Sequence, residues 1–125
     1  MKNVIIQKIQ ARKNDLGMSL VNLSGLSKVS KRTLNRLFAG STIQTDTLEH
    51  VTDVLGLNIA GTKIKTVEMV KKEQANKKAR YIVALTQDTS KMEVQGVSQS
   101  TLNSAIINLE QEFLDGAYKK DLWSL

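Results

Sequence analysis

The chain has 125 residues, no Cys, no Pro, one His and a net charge of +6. That length holds one domain or two small ones, and without thiols neither a disulfide framework nor a His/Cys metal cluster can form. The positive balance favours a polyanionic partner. No apolar run approaches the roughly 20 residues that span a bilayer. Lys8, Arg12 and Lys13 interrupt the apolar start, so no signal-peptide pattern is present and a cytoplasmic location is expected.

Charge is distributed unevenly. Residues 1–62 carry eight Lys/Arg against four Asp/Glu, residues 63–80 seven against two, and residues 81–125 three against six. A basic first two-thirds and an acidic last third argue for two jobs, and Ala60-Gly61-Thr62 reads as the boundary. The expected domains are residues 1–60 and residues 61–125.

In chain order, residues 3–16 form a first helix with Ile5, Ile6, Ile9 and Leu16 as its apolar stripe, ended by Gly17. Ser19 is an N-cap, and Leu20, Leu23 and Leu26 follow at helical spacing over 20–27. Ser30 caps the next helix, to residue 38. There Leu34, Leu37 and Phe38 share one face, while Lys31, Arg32, Asn35 and Arg36 fall on the others. Gly40 supplies a stop. A fourth helix spans 45–55, with Asp46 and Glu49 in its first turn, where the helix dipole favours them. A short helix bracing a second, cationic one is the geometry that enters a DNA major groove.

Leu23-Ser24, Lys28-Val29-Ser30, Thr33-Leu34-Asn35-Arg36-Leu37, Gly40, Thr47-Leu48, Val51 and Leu55-Gly56-Leu57 stand in one unbroken register. Over residues 3–59 this resembles the lambda-repressor-like, or Xre, family of helix-turn-helix regulators. The resemblance implies a helical bundle at the N-terminus and double-stranded DNA as partner. The chain departs from the family pattern at four places. Leu20 stands where the family often has a phosphate-holding Gln. Lys28 stands at the Gly of the turn, and Ile43 at the Pro before the fourth helix. Lys13 and Phe38 replace an Arg–Glu pair, so an apolar contact is expected there.

In the second half, residues 66–87 form a long helix with a basic front of Lys71, Lys72, Lys77, Lys78 and Arg80. Its back part, residues 81–85, is apolar all round and ambiguous between helix and strand. Residues 88–99 read as a loop. Ser100 caps a helix to Leu114, with Leu102, Ile106, Leu109 and Phe113 as its stripe and Glu110, Glu112 and Asp115 outside it. The plain reading packs this stripe on residues 81–85 as a small core. The functional one adds leftover apolar surface, with Leu122 and Trp123, that docks on a partner. The lysine run is either a solvated helix face or an added contact to phosphates.

Catalysis is not expected. His50 is the only His, and no phosphate loop, nucleophile elbow or spaced carboxylate pair stands out. No cofactor or metal is expected. The overall expectation is a mainly α chain: a lambda-repressor-like bundle, then a small, mostly helical extension. Its expected function is sequence-specific binding of double-stranded DNA as a repressor. Base-edge candidates are Lys31, Arg32, Asn35 and Arg36, because Arg and Lys donate to guanine and Asn pairs with adenine. Phosphate candidates are Ser19, Asn22, Ser30 and Thr33. Partner or dimer candidates are Leu102, Ile106, Leu109, Phe113, Leu122 and Trp123. The protein partner is a second copy of the chain or, if the architecture is that of an autoregulating antitoxin, a toxin. The alternatives are a stand-alone phage or plasmid repressor whose second half only dimerises, and a protein-binding adaptor that has lost DNA affinity.

Overall fold

The structure is a computed structural model that describes residues 2–90 and 99–124. Among these residues it is mainly helical, with six α-helices and one 3-10 helix. The chain forms two compact units, one of residues 1–70 with 123–125 and one of residues 71–122.

In the first unit, α1 (Lys2–Leu16) carries Ile5, Ile9, Arg12 and Leu16 at steps of three or four, which places them on one face. Ile9, Arg12 and Leu16 are buried. Then α2 (Leu20–Ser27) starts at a reciprocal cap. The Asn22 amide donates to Ser19 Oγ at 3.0 Å and the Ser19 amide to Asn22 Oδ1 at 3.2 Å. Next, α3 (Lys31–Phe38) starts at Ser30, whose Oγ accepts the Thr33 amide at 3.2 Å. Finally, α4 (Thr45–Leu55) buries Val51, Thr52 and Leu55, and Thr52 Oγ1 donates back to the Leu48 carbonyl at 3.0 Å. Helices α1 and α2 each pack on α3 and α4. Leu23, Leu34, Val51 and Leu55 are fully shielded and form the centre of this core. Truncating any of these leucines to Ala should cost about 2–5 kcal/mol.

Lys13, for which an apolar contact with Phe38 was the expectation, has a polar partner for its ammonium close by in sequence. Lys13 Nζ donates to the Met18 carbonyl at 3.2 Å, so it serves the C-terminal end of its own helix.

The first unit runs past the expected boundary at Ala60–Thr62. Leu57 and Lys63 form an antiparallel bridge, and the amides of Ile64 and Lys65 both donate to the Gly56 carbonyl at 3.0 and 3.1 Å. Asn58 Oδ1 accepts the amides of Ala60 and Thr62 at 3.0 and 2.9 Å. The polar Gly-containing stretch is thus a tied turn, and the chain stays with the first unit to Val70, which is buried.

A second correction concerns the chain's other end. Leu122 and Trp123 were expected to face a partner, but both are buried by this chain, as is Phe113. Trp123 belongs to the first unit, where its indole N–H donates to the carbonyl of Leu16 at 2.8 Å. That carbonyl lies in the last turn of α1, where it has no partner within the helix. An apolar ring with one donor therefore fits the site.

The second unit is built from α5 (Val67–Ser90, from residue 71 on), α6 (Gln99–Asp115) and the 3-10 helix Lys119–Asp121. Residues 81–85 are helical: they continue α5, and Thr86 Oγ1 donates to the Ile82 carbonyl at 3.0 Å. Of the expected loop at 88–99, residues 88–90 and 99 are helical and residues 91–98 lie outside the described residues. Gln74 Nε2 donates to the Leu122 carbonyl at 3.1 Å, and Asn76 Nδ2 to Glu110 Oε2 at 3.0 Å. The core here is small. Ala75, Ala79, Phe113 and Leu122 are buried, and the Phe113 ring lies 5.5 Å from that of Tyr118. Lys78 Nζ sits 5.4 Å from the Phe113 ring and donates to the Asp121 carbonyl. Desolvation lowers its pKa below 10.5, and the charge of Asp121 opposes that shift.

Candidate nucleic-acid interface

The four base-edge candidates share one face of α3. At 100° per residue, Lys31, Arg32, Asn35 and Arg36 fall within an arc of about 140°, and Leu34 and Leu37 point the opposite way. Burial follows that division. Leu34 and Leu37 are buried, and all four polar residues are exposed. Among the described residues, no side chain of Lys31, Arg32, Asn35 or Arg36 makes a hydrogen bond or ion pair within the chain. Ala39, also exposed, lies in the same arc and adds no bulk.

The phosphate candidates are distributed differently. Ser19 and Asn22 stand at the start of α2, Ser30 and Thr33 at the start of α3, and all four are engaged in capping. Ser30 Oγ also donates to Thr33 Oγ1 at 2.9 Å. These hydroxyls therefore complete helix starts, and the groups they leave for a ligand are few. The Asn22 side-chain amide keeps its N–H donors, because its bonds in the cap use Oδ1 and the backbone N–H.

The turn between α2 and α3 is braced from inside. Ser24 Oγ donates to the Val29 carbonyl at 2.7 Å, and Ser27 Oγ donates to the Leu23 carbonyl at 2.6 Å and accepts the Val29 amide at 3.3 Å. Val29 is buried as a plug beneath the turn. Lys28 has φ 62° and ψ 23°, and its side chain is exposed. Lys28 is the one non-glycine residue with positive φ among the described residues.

Sequence reasoning missed Arg12. This guanidinium is 3% exposed, and its bonds run to backbone carbonyls. Its Nε donates to the Leu55 carbonyl at 2.8 Å and its Nη2 to the Lys65 carbonyl. A cation at the C-terminus of α4 also meets the negative end of that helix. The signal was available: Arg12 falls in phase with Ile5, Ile9 and Leu16.

The arrangement presents donors on an exposed helix face, as suits an extended surface of acceptors. Among the described residues, no helix is long and apolar enough to cross a membrane. No protein-family model, curated protein or solved structure matches this chain.

Proposed function

We propose that this chain is a sequence-specific double-stranded DNA-binding regulator of the lambda-repressor-like type, acting as a repressor, with α2 and α3 as its helix-turn-helix. The observation that carries the reading is the outer face of α3. Four donors stand exposed there without intrachain partners among the described residues, on a helix anchored by Leu34 and Leu37. Lys31, Arg32 and Arg36 would address guanine edges and Asn35 adenine. The capped starts of α2 and α3, with the Asn22 amide, would lie against phosphates and fix the register.

The test is selection of a preferred duplex from a random pool, then binding measured by fluorescence anisotropy over a salt series. A preferred site is expected, with log K falling linearly against log salt. Arg36→Ala should cost about 1–3 kcal/mol at that site and relax one base position. A uniform loss over all duplexes would make Arg36 a phosphate contact. No preferred site, and weak binding even at low salt, would replace this reading with a protein-binding adaptor.

A further inference from the structure

The second unit leaves apolar side chains uncovered at the end remote from Phe113. No residue of 81–86 or of 99–112 is buried. Yet Tyr81 is 67% exposed, Leu85 51% and Ile107 65%, and Leu102, Ile106 and Leu109 are half-buried. Between α5 and α6 lies a groove of about 590 Å³, lined on one side by Ile82, Val83 and Thr86 and on the other by Leu102, Ala105 and Leu109. Two helices side by side make a single layer, and an apolar face with no second layer on it among the described residues is not a finished core.

We infer that this groove and its flanks are a self-association face, covered by the same face of a second copy of this chain. Two observations select a copy over other occupants. Neither 81–87 nor 99–109 contains a Lys, Arg, Asp or Glu, although the chain as a whole carries +6. The one charged residue in the groove's lining, Glu112, turns a carboxylate oxygen to the Ala117 amide at 2.9 Å. The face thus offers little charge to attract an acidic or a basic partner, and two copies meet there with little of the repulsion that their net charge imposes elsewhere. The face also carries both halves of a fit: Tyr81 and Leu85 stand exposed beside the groove lined by Ile82 and Leu102. A two-fold axis lets each copy's ridge enter the other's groove, which is the self-complementarity of an isologous contact.

The inference rests on the second unit alone and is independent of the DNA reading, so the test contains no DNA. Sedimentation velocity of the full chain should show a concentration-dependent dimer up to about 100 µM. Leu85→Glu and Ala105→Glu each place two like charges, one per copy, in the contact. Each should weaken association about 100-fold. Both positions are exposed, so helix content by circular dichroism should be unchanged. Ile64→Glu, at a 58% exposed apolar residue of the first unit, should leave the dimer intact. A wild-type chain that stays monomeric over the whole range overturns the proposal, as does a dimer that survives both groove variants. A monomer that takes up one equivalent of an apolar dye, lost in Ala105→Glu, overturns it in favour of a small ligand. Monomers that pair only with a different, identified protein overturn it in favour of that partner.

Discussion

Arg12 on α1 donates to the carbonyl of Leu55, the last residue of α4, across 43 positions of sequence. One side chain so terminates a helix it does not belong to, and a second bond to Lys65 pins the returning stretch of chain to the same point. Glycine is the residue type that fits at position 56 beside it. The φ there is +73°, and an added Cβ would lie 2.7 Å from Val70 Cγ2 and 3.2 Å from Arg12 Nη2. Replacing Arg12 by Met keeps the apolar stem but removes the donor of both bonds. Arg12→Met should lower the unfolding free energy by about 2–4 kcal/mol, read by urea denaturation. Arg12→Lys should recover only part of that, since a single ammonium lacks the fork that reaches both acceptors. A loss under about 0.5 kcal/mol for Met would mean that the guanidinium is not structural.

Lys28 should be improvable. An L-residue in the left-handed region costs about 1–2 kcal/mol, partly offset because Gly gives the unfolded chain more freedom. Lys28→Gly is therefore expected to stabilise the protein by about 1 kcal/mol, a Tm rise of several degrees in a domain of this size. An unchanged or lower Tm would show that the lysine side chain contributes more there than its exposed position implies.

Trp123 is the chain's only Trp, so its fluorescence is an unmixed signal. Its burial at 7% exposure should give a blue-shifted emission that moves red on unfolding. Trp123→Phe keeps most of the ring's burial but orphans the Leu16 carbonyl, with an expected cost of about 1–3 kcal/mol. Emission at the wavelength of a fully hydrated indole in the native protein would contradict the packing described.

Lys78 offers a prediction with a defined sign. Its folded-state pKa lies below the usual 10.5 because burial disfavours the charged form. Just below 10.5 the unfolded chain then holds more protons than the folded one, so this group makes stability rise with pH in that window. Comparison with Lys78→Met isolates it. The wild type should gain stability relative to the variant as pH approaches 10.5, and a difference that is flat or falls over that interval would refute the assignment.

Much of the local architecture was legible because its causes are local. Ser19 and Ser30 cap because a hydroxyl there reaches an amide three residues on, and the two-faced pattern of α3 follows from a period of about 3.6. Three features were hidden for identifiable reasons. Residues 81–85 are apolar on every side, so periodicity could not distinguish helix from strand; they are helical and largely uncovered. The Ala60–Thr62 stretch has the composition of a linker, yet Asn58 and the Gly56 carbonyl hold the turn's amides. Trp123 looked exposed because its acceptor lies 107 residues away. The exposed polar face of α3 could be read from sequence; that Asn22 closes the cap on Ser19 and that Ser30 also bonds the Thr33 hydroxyl required coordinates.

The bond between Trp123 and Leu16 makes the first unit a discontinuous object in the order of synthesis. Its helices emerge from the ribosome early, but the piece that covers the end of α1 is made only after the whole second unit. Until then the Leu16 carbonyl and its surroundings stay open to water or to a chaperone, and closing them requires the slow meeting of segments 107 residues apart. A message truncated anywhere in the second unit would yield a first unit that has all four of its helices and still lacks its final seal.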